Sequence, residues 1–135
     1  MNATWYEHIA RRLRGVTIEC LVYADCIQRY DSETTLFYCD PPYLNTEDYY
    51  GKDNFALDDH YTLAGLLHDI KGHAMITHYQ NDLYDDLYKG WNRYKYASFK
   101  GSHKAEPGQE KPVTVECLYT NFEPVKIRGL FDAME

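Results

Sequence analysis

Two adjacent prolines behind a short β-branched and aromatic run constrain this chain more than any other feature of its sequence. Thr34-Thr35-Leu36-Phe37-Tyr38-Cys39 reads as a buried strand. Asp40-Pro41-Pro42-Tyr43 follows at once. Two prolines neither continue a sheet ladder nor open a regular helix, so the chain must leave the strand in a rigid, extended turn. That places a carboxylate at the tip of a strand, stiff carbonyls beside it and an aromatic ring next. Such a set suits a flat ring that carries an amino group. Asp40 and the carbonyl of Pro41 can accept hydrogen bonds from the amine, and Tyr43 offers a face for stacking.

The rest of the chain is consistent with one α/β domain over residues 1–135, a length that buries a real core. Residues 3 to 14 read as a helix, with Trp5, Ile9 and Leu13 on one stripe and Gly15 closing it. Val16 to Leu21 reads as a strand and Asp25 to Arg29 as a short helix or turn. With the strand at 34 to 39 this predicts a parallel pair. Ligands bind beyond the carboxyl ends of strands in such sheets, and Asp25 and Asp40 both fall there. Residues 44 to 57 are polar and turn-rich and read as a loop, in which Tyr49, Tyr50 and Phe55 either enclose a ligand or pack the loop down.

Asp58 reads as the cap of a helix over 59 to 70, with Leu63, Leu66, Leu67 and Ile70 on its apolar face and Gly72 ending it. Ala74 to Thr77 is the next strand, and Asn81 or Asp82 caps a short helix that stops at Gly90. Residues 91 to 99 are strand-like with imperfect alternation and 113 to 122 alternate cleanly, and the polar loop between them predicts an antiparallel hairpin.

The residues around the turn carry a resemblance. Phe37-Tyr38-Cys39-Asp40-Pro41-Pro42-Tyr43 resembles the catalytic motif of the DNA adenine methylases. Val16–Cys20 with Tyr23-Ala24-Asp25, Met75–Asn81 and Glu116–Phe122 resemble other segments of that family in the same order. The resemblance covers nearly the whole chain. It implies a Rossmann-like methyltransferase sheet, S-adenosyl-L-methionine as cofactor, double-stranded DNA as partner and transfer of a methyl group to the amino nitrogen of a flipped adenine. It assigns Asp40 and Pro41 to the amino group, Pro42 to the shape of the turn and Tyr43 to stacking. Asp40 and Asp25 fall to the cofactor, although Asp25 reads equally well as a helix cap.

The family's Gly-rich turn and the acidic strand end that follows it are not visible. No two glycines here are separated by a single residue. The expectation is therefore a C-terminal, motif-bearing half that lacks the first, cofactor-binding strands. Activity is one outcome. An inactive remnant, or half of a split enzyme acting through DNA or a partner, is the other. A separate N-terminal half or self-association would cover the sheet edge left open. A methyltransferase acting on RNA or protein is a third reading, which the residues flanking the motif disfavour.

A net charge of −7 argues against a nonspecific nucleic-acid binder. The basic residues gather near the last hairpin, among them Lys95, Lys100 and Lys104, as phosphate contacts or as a solvated face. Arg11, Arg12 and Arg14 suit either a helix end or a phosphate. Cysteines 20, 26, 39 and 117 form no C-x-x-C pair and read as free, mostly buried thiols. His68, His73 and His78 span a helix, a cap and a strand, so no metal site is expected. No apolar run reaches a membrane span, and a reduced, cytoplasmic setting fits best.

Overall fold

A computed structural model of the chain describes residues 4–44, 55–99 and 113–125. Its elements run α1 (Thr4–Leu13), α2 (Tyr23–Tyr30), β1 (Leu36–Cys39), α3 (Leu57–Asp69), β2 (His73–Tyr79), α4 (Asp82–Leu87), β3 (Asn92–Phe99) and β4 (Val113–Thr120). Among the described residues the strands form one sheet in the order β1-β2-β4-β3. β1 and β2 are parallel, joined through α3, and Cys39 pairs with Ile76. β4 runs antiparallel to both β2 and β3, so the expected hairpin is present and β4 inserts between β2 and β3.

Alternation along the strands sends Phe37, Cys39, Ala74, Ile76, Cys117 and Tyr119 to one face. There Ile27 of α2, Leu63, Ala64 and Leu67 of α3, and Tyr84 and Tyr88 close the core over them. Burying one such leucine contributes roughly 1.5–3 kcal/mol. The 3.6-residue spacing of Leu63 and Leu67 is what brings them to the same face of α3.

The opposite face of the sheet is open at β1, where Leu36 is 53% and Tyr38 64% exposed. The outer edge of β1 pairs with no strand among the described residues. α1 forms as its periodicity predicts, yet its stripe of Trp5, Ile9 and Leu13 is exposed. The stripe specifies a helix without specifying what covers it.

Four expectations are corrected. Val16 to Leu21 is not a strand but irregular chain, with Ile18 91% exposed. A β-branched run becomes a strand only when it finds a ladder partner, and this one does not reach the free edge of β1. The parallel pair is accordingly β1 with β2, one step later in the chain. Asp58 does not cap α3. The cap position is Ala56, whose N–H donates to Asp59 Oδ2 at 2.8 Å from the first turn of the helix. Gly72 lies beyond the helix end at Ile70 and serves another need. A Cβ there would come within 2.6 Å of the carbonyl oxygens of Ser32 and Thr35. Cys20, finally, is exposed rather than buried.

Two polar devices tie the element ends together. The Asp31 carboxylate, just after α2, accepts the backbone N–H groups of Lys71 and Gly72 at 2.9–3.1 Å. Asn121 accepts from Ala74 N–H at 2.8 Å and donates to the Gly72 carbonyl at 3.2 Å. Asn81 caps α4 as expected, accepting from Leu83 N–H at 2.8 Å. Among the described residues no helix is long and apolar enough to cross a membrane. Residues 45 to 54, including Tyr49 and Tyr50, lie outside the described residues, as does the loop from Gly101 to Pro112.

Candidate active site

The parallel register dictates the first contact of the site. Cys39 lies beside Ile76, so the next residues along each strand, Asp40 and Thr77, come side by side. The Thr77 hydroxyl, almost wholly buried, donates to Asp40 Oδ1 at 3.0 Å. Asp40 itself is exposed at the carboxyl end of β1. Its Oδ2 accepts no hydrogen bond from the described residues.

Pro41 and Pro42 carry the chain away half-buried, and Tyr43 follows with its ring packed against two neighbours. The ring centroid lies 4.8 Å from that of His78 and 4.6 Å, edge-on, from that of Tyr79. Burial pushes the Tyr43 hydroxyl, which lies near Thr77, up to about 12. Thr77 thus faces both ends of the Asp-Pro-Pro-Tyr turn.

His78 holds the exit of the turn. Its Nε2 accepts the backbone N–H of Leu44 at 3.0 Å, so the proton sits on Nδ1, which donates to the Tyr79 carbonyl at 2.7 Å. The ring stacks on Tyr84 at 3.7 Å, and Tyr84 in turn bonds His60 Nδ1 through its hydroxyl at 2.6 Å. Burial drives His78 down to about 4, so the imidazole is neutral at physiological pH.

Beside Asp40 opens a cleft of about 360 Å³. Tyr23, Ile27, Phe37, Phe55 and Leu63 give it an apolar lining, and Asp40, Pro41 and Pro42 form part of its wall. Phe55 packs on Tyr23 at 5.6 Å and edge-on to His60 at 4.7 Å. The Tyr23 hydroxyl donates to Asp59 Oδ1 at 3.0 Å. Cys39, also in the wall, is held as a thiol, burial raising it to about 11. A cleft of this kind accepts a flat ring, with the carboxylate at its border for an amine.

The sequence-predicted residues divide into two groups. Asp40, Pro41, Pro42 and Tyr43 come together as one turn. Asp25 stands exposed in the first turn of α2, whose Tyr23, Cys26 and Ile27 line the cleft while Asp25 does not. Lys95 is exposed on β3, and Lys100 and Lys104 lie outside the described residues. Arg93, next to Lys95 in that basic region, is bound to Asp85 in an ion pair. The sequence reading assigns no role to Thr77, His78, His60 or Tyr84. The signal for the first two was a polar pair directly after Ala74-Met75-Ile76, because polar side chains in a buried strand need partners.

The model of the D12 class N6 adenine-specific DNA methyltransferases matches residues 2–101. The chain belongs to that family. The match spans α1 to β3 and therefore the whole of the turn, the cleft and the residues that hold them. Among curated proteins, none matches the chain.

Proposed function

We propose that this chain carries the amine-binding part of a site that methylates the N6 nitrogen of an adenine flipped out of double-stranded DNA. The observation that carries the reading is the Asp40 carboxylate, anchored through one oxygen by Thr77, with no described residue donating to the other. An aromatic amine is a poor nucleophile because its lone pair is delocalised into the ring. Asp40 Oδ2 and the Pro41 carbonyl accept the two amino hydrogens, which draws the nitrogen toward tetrahedral geometry and localises the lone pair. Tyr43 gives the base a face, and the flipped position gives it access. Direct attack by the amine needs no nucleophilic cysteine, and burial raises the Cys39 thiol to about 11.

The sheet is read as part of a Rossmann-like methyltransferase sheet, with its ligand beyond the carboxyl end of β1. The cleft fits the adenine end of S-adenosylmethionine in size and in its apolar lining. Tyr23, Phe37, Phe55 and Leu63 would hold that ring, and Asp25 would meet its amine where the ligand passes the first turn of α2. Bound there, the cofactor would supply an electrophilic methyl group from its sulfonium and leave as a neutral thioether, while the methylated nitrogen would give up one proton to the Asp40 carboxylate or to solvent. Lys95, Lys100 and Lys104 are the phosphate contacts in this reading, and a basic stretch in an acidic chain supports it.

A second reading is favoured by the exposed Leu36 and Tyr38 and by the edge of β1, which pairs with no strand among the described residues. In it the chain works only with a further polypeptide, a separate half or a second copy, seated on that side of the sheet. A sedimentation run giving a clean monomer, with no partner retained, counts against it.

The deciding experiment is calorimetric titration of S-adenosylmethionine into the chain, alone and with duplex DNA, followed by methyl transfer assays. Saturable binding, and transfer abolished by Asp40→Ala, is the expected result. Binding in neither condition overturns the catalytic reading for the chain acting alone.

A further inference from the structure

We infer that Thr77 and His78 are the positioning residues of the Asp-Pro-Pro-Tyr turn, Thr77 aiming the Asp40 carboxylate and His78 fixing where the turn ends. The catalytic half of this inference rests on the reading of Asp40 as the acceptor of the target amine. The structural half does not.

Consecutive residues of a strand point to opposite faces, so Thr77 and His78 leave β2 on either side of the sheet. Thr77 stands on the side of Asp40 and His78 on the side of the helices, where it stacks on Tyr84. The turn is gripped from both sides by two neighbouring residues of a central strand. Thr77 and His78 are both buried, so each grip is made from the protein side of the turn. A free aspartate at a strand tip samples several χ1 rotamers, and only some present an oxygen to an amine. The Thr77 hydroxyl removes that freedom by engaging Oδ1 alone.

The His78 grip is directional. Its Nε2 must be the acceptor for Leu44 N–H, and the Nδ1–H bond to the Tyr79 carbonyl enforces that tautomer. Tyr84 stacked on the ring and Tyr43 beside it fix the ring plane. Two prolines stiffen the turn internally, but stiffness alone does not place it. Asp40 at one end and Leu44 at the other are each tied to β2, so the Pro41 carbonyl between them has one position relative to the carboxylate.

The test uses the whole chain and reads the turn by NMR. In the unmodified chain Asp40 shows the couplings of a single χ1 rotamer, and the Leu44 amide exchanges slowly. Thr77→Val, close in shape without the donor, averages the Asp40 couplings, and Thr77→Ser restores them. His78→Gln keeps an acceptor near the Nε2 position and leaves Leu44 exchange slow. His78→Asn keeps only the Nδ1 side and speeds Leu44 exchange by about tenfold or more. Methyl transfer, measured in parallel, falls in kcat for Thr77→Val with KM for DNA unchanged, and returns with Thr77→Ser. A single Asp40 rotamer in Thr77→Val, or equal Leu44 exchange in His78→Gln and His78→Asn, overturns the inference. Absence of methyl transfer with the NMR results as expected instead counts against the catalytic reading and leaves the positioning roles standing.

Discussion

His60 Nδ1 and the Tyr84 hydroxyl lie 2.6 Å apart with both side chains buried beneath the Asp-Pro-Pro-Tyr turn. Tyr84 is therefore more than a filler of the core. Its ring supports His78 and its hydroxyl serves a histidine that is withdrawn from water. Burial raises the hydroxyl well above its ordinary value, so it stays protonated across the useful pH range. Tyr84→Phe keeps the ring stacked and removes only the hydroxyl that bonds His60 Nδ1. The expected loss is about 0.5–1.5 kcal/mol, the net contribution of one such hydrogen bond. Denaturant unfolding of the variant checks it, and an unchanged midpoint would show that the bond contributes nothing.

Acid should weaken the fold through His78. Its folded value is about 4 against 6.5 in the unfolded chain, the cause being burial. Between those values the unfolded chain binds a proton that the folded chain does not. Stability from this group is thus complete above pH 6.5 and is lost as pH falls toward 4, by about 3 kcal/mol in all. Urea melts across that window measure the slope. His78→Gln, which has no proton to bind, should flatten it.

Gly72 is required by space rather than by backbone freedom. An added methyl group would press on the carbonyl oxygens of both Ser32 and Thr35, and these belong to backbone that cannot swing aside. The same carbonyl of Thr35 accepts the His73 N–H at 2.8 Å where β2 begins. Gly72→Ala should therefore lower stability by about 1–3 kcal/mol, the usual cost of overpacking, and should disturb the start of the β1–β2 pairing. Loss of protection at the His73 amide in hydrogen exchange would report the second effect.

How much of this was legible beforehand follows from what each signal depends on. The β1 strand and the turn after it were readable because two prolines act locally, whereas its expected burial fails on the face of Leu36 and Tyr38, which depends on what packs there. The β3–β4 hairpin was readable because alternation and a polar loop are also local. The Val16–Leu21 segment looked equally like a strand, yet a strand is a relation between two segments and its partner is not written in its own residues. The cap of α3 was misplaced by two residues because Asp58 and Asp59 are both acidic, and only geometry shows which one reaches back to Ala56. Asp40 was legible as a candidate, whereas its dependence on Thr77 is fixed by register, a long-range quantity.

Asp40→Asn separates the chemistry from the fold. Asparagine keeps an oxygen to accept the Thr77 hydroxyl, so the buried donor still finds its partner and the turn should hold. Since Asp40 is exposed, no charge is withdrawn from the core, and stability should stay within about 0.5 kcal/mol of the unmodified chain. The substitution removes the negative charge that the amino group meets as it gains positive character. It also lets the side chain present an N–H donor where only an acceptor is useful. Loss of one such group in a reaction site costs about 10²–10³ in kcat. The check pairs a thermal melt with a methyl transfer assay on the same sample. An unchanged melt with that loss of rate places Asp40 in the chemistry, whereas an unchanged rate removes it from the site.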